Sequence, residues 1–390
     1  MINNDTKKKK ILIVHNKYRN IGGEDIAVQN EIEFLKTFND VKVIFFENKI
    51  NKIFKQAISF LINSNNESTK LFINEYNSFK PDIVYIHNLW FKASLGILQF
   101  LKKEKIKVFV KFHNFRYDCT NSFFKFNHLN GNKFCKACGF DNSTTFIFNK
   151  YFIDSYLKSI LVILFSKKYI KILENSNFQI LLLTRFHLQH IESKSYKFKN
   201  LNVFPNYLEV SHNEKRKEDF ILYAGRISNE KGINELINAF INVKYEKKEL
   251  YIIGDGPELK TLKNKYKNNE DIRFFGAIEN NRVHELISKS KGVVTATKLY
   301  EGQPTLLCEA SLMSIPSIFP RTGGIEEFFP TNYSLTYNQF DYSQLSKKIK
   351  EIYSIDDVSS VAQKNQKFIM KKLNQIDLRK KFEQIYEQSK

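Results

Sequence analysis

At 390 residues, 42% of them hydrophobic, the chain is long enough for about two or three domains that each bury a core, and its apolar content is that of an ordinary globular protein. The formal net charge of +20 points to an anionic partner, such as a membrane surface, nucleic acid or a phosphorylated substrate, with compositional drift toward Lys, Asn, Ile and Phe as the plainer explanation. No run of about 18 apolar residues occurs, which excludes an expected helical membrane span.

Residues 1–10 end in four lysines and lead only into the short apolar run Ile11–Val14. A secretory signal needs about 7–15 apolar residues after its basic region, so a solvated tail and a cytoplasmic chain are expected. Four cysteines without an export signal also argue against a disulfide framework. Ile11–His15 reads as a first strand, Asn16–Ile21 as a loop, and Ala27, Val28, Ile32 and Leu35 mark one face of a helix from Glu24. Gly22 and Gly23 stand where strand hands over to helix. There glycine lets the backbone approach a phosphate and the helix dipole faces the ligand, although a plain turn would use the same pair.

Asp82–Ile86 is a buried strand ending in His87, and Val108–Phe112 another ending in His113, both at the strand ends where an open α/β sheet places ligands. Either histidine could instead be a structural hydrogen-bonder. Cys119, Cys135 and Cys138 follow in an insertion-like stretch, residues 114–140. The C-x2-C pair has metal-ligand spacing, with His113 or His128 available as a fourth ligand. Against this, Phe, Asn and Lys fill the gap between Cys119 and Cys135 and no second C-x2-C follows, so reduced cysteines packing a loop are the alternative. Phe123, Phe124 and Phe126 fit a membrane-touching loop as well. From Tyr151 to Lys171, a broad apolar side is edged by Lys158, Lys167, Lys168 and Lys171, the composition of an interfacial helix on anionic lipid or of a core-facing helix with a solvated lysine face. Residues 178–184 give one more strand ending in Thr184-Arg185, Phe204-Pro205-Asn206 closes the first half, and the charged stretch 209–218 reads as a linker.

Phe220–Ala224 opens a second series. Arg226 and Lys231 project from one strand-to-helix loop ahead of a helix whose Ile233, Leu236, Ile237, Phe240 and Ile241 share a face. A guanidinium and an ammonium at such a loop suit a leaving diphosphate, with structural salt bridging as the alternative. Strand 250–253, a helix capped by Gly254-Asp255-Gly256-Pro257, strand 272–275 with Gly276 and helix 281–289 continue the alternation that a parallel doubly wound sheet needs. Val293–Ala296 is a short buried strand, and Pro304 is placed as the first residue of a helix. Glu301 therefore lies on the loop after the strand, while Glu309 sits about a turn and a half into the helix and reaches back along the same crevice. The loop Glu301-Gly302-Gln303 borders a natural diphosphate seat, and two acceptor-only carboxylates beside it suit a ligand with many hydroxyls; a solvated loop glutamate and a helix-surface glutamate are the bland alternative. Residues 341–390 read as helices.

EGQPTLLCEA, followed by Thr322-Gly323-Gly324 and Glu326, resembles the Glu-x7-Glu signature of family 4 retaining glycosyltransferases, and GRISNEKG is similar to that family's Gly-Arg-x4-Lys-Gly element. The likeness covers the second half strongly and the first half at scattered positions: the Gly-Gly pair, His113 in KFHNFR, and Pro205-Asn206. It implies an α/β chain of GT-B fold, two facing Rossmann-like domains with parallel sheets, at 1–208 and 209–370, with a last helix at 371–390 crossing back to the first. It further implies that Glu301 contacts the transferred sugar, that Glu309 holds the ribose, and that Arg226 and Lys231 hold the diphosphate. Gly302, Thr305 and Leu306 would complete the donor seat, Gly22 and Gly23 would line the diphosphate or the acceptor, and His113, preferred over His87, would stand next to the donor sugar. The expected activity is retaining transfer from a nucleotide-sugar to a lipid-linked or oligosaccharide acceptor in surface polysaccharide assembly, on the cytoplasmic side of an anionic membrane. No cofactor and no metal are assigned, since the chain has no Asp-x-Asp element. The cysteine segment is not a feature of the whole family and would belong to acceptor recognition in a subgroup. The rivals are a nucleotide-sugar epimerase of GT-B shape, and a basic nucleic-acid-binding module, for which the chain lacks a reading motif.

Overall fold

The computed structural model describes residues 8–17, 22–47, 59, 62, 65–90, 92–144, 146–152, 155–210, 217–245, 247–354 and 359–389. Most of the expected basic tail (1–7), of the first loop (18–21) and of the expected linker (211–216) lie outside the described residues. The chain divides into two compact units, one reaching to Tyr207 and resuming at Gln375, the other running from Leu208 to Asn374; the breaks read from sequence fall after 208 and 370.

In the first unit the strands are β1 (Lys10–Lys17), β2 (Asp40–Glu47), β3 (Ile83–Asn88), β4 (Lys107–Phe112), β5 (Gln179–Leu182) and β6 (Asn200–Val203). All neighbours are parallel, in the order β2-β1-β3-β4-β5-β6. Parallel strands buried on both faces need near-continuous apolar runs, and β1 supplies Ile11 to Val14, all fully buried. Their two-residue period sends Leu12 and Val14 to one core and Ile11 and Ile13 to the other. The helices are α1 (Gly23–Lys36), α2 (Asn66–Phe79), α3 (Gly96–Leu101), α4 (Arg116–Cys119), α5 (Lys125–Leu129), α6 (Tyr156–Glu174) and α7 (Arg185–Glu192). Because the chain leaves β1 for β2 on one side and returns to β3 on the other, the sheet has its switch point between β1 and β3.

The second unit repeats the scheme with β7 (Phe220–Ala224), β8 (Glu249–Ile253), β9 (Ile272–Gly276), β10 (Gly292–Val294), β11 (Ser317–Arg321) and β12 (Thr336–Asn338). Their order is β12-β11-β10-β7-β8-β9, again parallel, so the switch point lies between β7 and β10. Around them are α8 (Ile233–Ile241), α9 (Leu259–Lys265), α10 (Asn280–Lys289), α11 (Thr305–Leu312), α12 (Tyr342–Ser354) and α13 (Ser359–Lys372). The last helix, α14 (Gln375–Gln388), belongs to the first unit, where Leu378, Phe382 and Ile385 join the core of β1 and α1.

Three local expectations need correction. Helix α6 starts at Tyr156 rather than Tyr151, because the Ser155 hydroxyl accepts from the Lys158 N–H (3.2 Å) and caps it. Pro304 is the cap residue and not the first helical one: its ψ of 93° is extended, so the helix begins at Thr305. His87 lies within β3, whose pairing continues to Asn88. Helix α6 buries Val162, Phe165, Tyr169 and Leu173 in the core, as the core-facing reading expects, and leaves Leu157 and Leu164 exposed on the side that carries Lys158, Lys167 and Lys171. Among the described residues no helix is long and apolar enough to cross a membrane.

Candidate active site

The C-terminal ends of β7 and β10 lead into the loops that carry Arg226, Lys231 and Glu301. After β7 the chain passes Gly225 and the exposed Arg226, then makes a 3-10 turn over Asn229–Lys231. Gly232 closes that turn at φ +69°, and a Cβ there would stand 2.1 Å from the Ala296 carbonyl oxygen. Only glycine allows this approach, which brings Lys231 against the loop after β10. The Lys231 ammonium lies 2.6 Å from Glu301 Oε1, and the Thr297 hydroxyl donates to the same oxygen at 2.9 Å. The Glu301 backbone is held too: its carbonyl accepts the Gly324 N–H (2.8 Å), and Gly323, at φ +59°, would put a Cβ 2.4 Å from that oxygen. The Thr-Gly-Gly turn thus fixes the Glu301 backbone. Gly302, Thr305 and Leu306, all partly exposed, flank Pro304 at the N-terminus of α11. Glu309, 6% exposed, points from α11 to His284 Nε2 at 3.3 Å. Lys231 and Glu301 are therefore in direct contact, Arg226 shares the Lys231 loop, and Glu309 occupies a separate, more buried position.

In the first unit His113 follows β4, and its Nε2 is hydrogen-bonded to His87 Nδ1 at 2.9 Å, with the two rings stacked. Burial holds both imidazoles well below their usual range; His113, Lys111 and His15 add to the drop at His87, as do Lys111, His15 and His187 at His113. Both rings are therefore neutral near pH 7, one donating to the other. Beneath them the fully buried Lys111 ammonium meets both Glu31 carboxylate oxygens (2.8 and 2.7 Å), and the Tyr85 hydroxyl donates to Glu31 Oε1 at 2.6 Å. A charge in such a place is tolerable only when paired and hydrogen-bonded. Gly22 caps α1, and its N–H donates to Asp25 Oδ2 (3.0 Å), whose other oxygen lies 3.0 Å from His15 Nε2. The Gly22 amide thus has an internal acceptor, while Gly23 is exposed.

Sequence reasoning missed Glu31, Lys111, Tyr85, Thr297 and His284. Two left a signal: Lys111 interrupts the apolar strand VFVKF, and Glu31 falls on the apolar face of α1, so each called for a buried partner. Nothing local marks Thr297 or His284. The cysteine segment also resolves one choice, since His113 is bonded to His87 while His128 lies with Cys119, Cys135 and Cys138.

The chain is similar in structure to sucrose-phosphate synthase from Thermosynechococcus elongatus, with a TM-score of 0.69 and 14% identity over 98% of this chain and 99% of that one. It is similar too to Anabaena HepE in complex with UDP and glucose, with a TM-score of 0.68 and 11% identity over 96% of this chain and 98% of that one. The fold is GT-B. Within this GT-B chain, residues 208–376 match the family described as glycosyl transferases group 1, a stretch that takes in the second unit and its Lys231–Glu301 contact. A curated relative, the amylovoran biosynthesis glycosyltransferase AmsD of Erwinia amylovora, is 26% identical over 216 residues, 51% of this chain. The aligned stretch spans 61% of that relative's length.

Proposed function

We propose that the protein is a retaining glycosyltransferase that moves a sugar from a nucleotide-sugar to a lipid-linked or oligosaccharide acceptor in surface polysaccharide assembly, on the cytoplasmic face of an anionic membrane. The observation that carries this is the Lys231–Glu301 contact at the β7/β10 switch point, inside the stretch that matches glycosyl transferases group 1. The role of AmsD in amylovoran biosynthesis and the UDP and glucose in the HepE complex support the substrate class.

In this mechanism Arg226 and Lys231 bind the diphosphate and stabilise the charge that builds on it as the bond to the sugar breaks. Gly302, Thr305 and Leu306 seat the diphosphate at the N-terminus of α11. Glu301, held in place by Thr297 and the Thr-Gly-Gly turn, accepts from sugar hydroxyls, and Glu309 accepts from the ribose. His113, kept neutral on His87, offers hydrogen bonds to the donor sugar, with Gly22 and Gly23 on the same unit. The two side-chain cations would balance the negative charge of the diphosphate, so no metal and no cofactor are assigned to the transfer.

A thermal-shift panel of UDP-, GDP- and ADP-sugars tests this. Ligand at a hundred times its dissociation constant adds about 2.7 kcal/mol, so one nucleotide class should raise Tm and do so less in Lys231→Ala. No shift with any nucleotide-sugar, together with salt-sensitive binding to duplex DNA, would overturn the proposal in favour of nucleic-acid binding.

A further inference from the structure

We propose that Cys119, His128, Cys135 and Cys138 form a structural zinc site. The four come from three separate pieces of chain: Cys119 ends α4, His128 lies on α5, and Cys135 and Cys138 share a tight turn. Their ligand atoms nevertheless all lie within 4.8 Å of one another. Cys119 Sγ is 3.9 Å from Cys135 Sγ, and Cys138 Sγ is 3.2 Å from His128 Nε2. With Zn–S near 2.3 Å and Zn–N near 2.0–2.1 Å, tetrahedral angles put sulfurs about 3.8 Å apart and sulfur and nitrogen about 3.5 Å apart. Both separations are close to those of a Cys3His shell, and all the cysteines are free.

The surrounding backbone is shaped for ligation. In the Cys135-Lys-Ala-Cys138-Gly139 turn, Gly139 adopts φ +79° and donates to the Cys135 carbonyl (2.8 Å), while the Cys135 N–H donates to the Phe140 carbonyl (2.9 Å). The His128 ring stacks on Phe140, with centroids 5.0 Å apart, which fixes Nε2 toward the cysteines.

The segment also needs such a centre. Between Asn121 and Lys150, only Leu129 and Phe140 among the described apolar side chains are buried, while Phe124, Phe126, Phe146 and Ile147 are exposed. Two buried side chains cannot order so much chain, and a metal substitutes for the missing core. Four protein ligands leave no open position, so the ion is structural and not catalytic. Its effect is to tie the segment to α4, directly after His113 and Asn114.

Full-length protein expressed with added zinc should carry about one equivalent by elemental analysis, and Cys135→Ser/Cys138→Ser should lose it while circular dichroism shows whether the fold persists. Should that variant not fold, chelator-stripped wild-type protein is titrated with cobalt. A thiolate-to-cobalt charge-transfer band saturating at about one equivalent, and abolished by zinc, is then expected. Wild-type protein that stays zinc-free and gives no cobalt band, or a folded variant that keeps its full zinc, would overturn the site.

Discussion

Lys231 and Glu301 illustrate how a close ion pair can form between residues that share no stretch of sequence. Their side chains are only partly exposed and meet at 2.6 Å, but 70 positions separate them, and the contact depends on Gly232 resting against Ala296. If Arg226 and Lys231 act on the leaving diphosphate, then Arg226→Ala or Lys231→Ala should mainly lower turnover, by about a hundredfold to a thousandfold, the usual loss of about 2.7–4 kcal/mol for one such donor. Glu309→Ala removes binding present in ground and transition states alike. It should raise the donor KM by an amount set by a charged hydrogen bond, about 1.5–3 kcal/mol, with a smaller fall in kcat. Steady-state kinetics on folded variants decides, and near-normal turnover in both cation variants would refute the assigned chemistry.

At the level of elements, α14 completes the first unit from the far end of the chain. Phe382 is buried against Phe38, Phe109, Tyr85 and Phe204, which come from the chain after α1, from β4, from β3 and from the chain after β6. Removing a buried phenylalanine costs about 3–5 kcal/mol through lost burial and the cavity left behind. Phe382→Ala should therefore lower the midpoint of denaturant unfolding of this unit; an unchanged midpoint would mean that α14 is not part of its cooperative core. Helix α6 shows the opposite kind of element, one whose outward face exceeds the needs of the fold. Leu157 is 64% exposed, next to the exposed Lys158.

For the whole molecule, the charge of +20 and the exposed apolar side chains of the first unit motivate one prediction. Phe124 stacks on Phe126, the Lys125 N–H donates to the Ile147 carbonyl (2.8 Å), and Phe148 packs against Tyr156 at the start of α6, so the exposed Phe126, Phe146, Ile147 and Leu157 belong to linked pieces of one unit. Basic groups near an anionic surface contribute about 1 kcal/mol each, and the effect is screened within a Debye length. The protein should sediment with anionic vesicles and be released by salt, and Phe146→Asp should weaken the binding that remains at high salt. Equal recovery on neutral and anionic vesicles would refute this docking.

Much of the architecture was legible from sequence because its causes are local. Strand and helix periods, the glycines after β7 and the two glutamates of EGQPTLLCEA are short-range patterns, and they mark β1, β3, β4, β5 and β7 to β10, whereas β2, β6, β11, β12, α2 and α3 were not read from them. The resemblance added the GT-B fold, which the structural likeness bears out. Partners distant in sequence were not legible. Lys111 needed Glu31, Glu309 met His284, and His128 joined three cysteines only through contacts that chain order does not encode. The physical reason is that periodicity reports which side of an element is buried, whereas a hydrogen bond or a ligand shell depends on where separate elements bring individual atoms, and only the folded chain sets those distances.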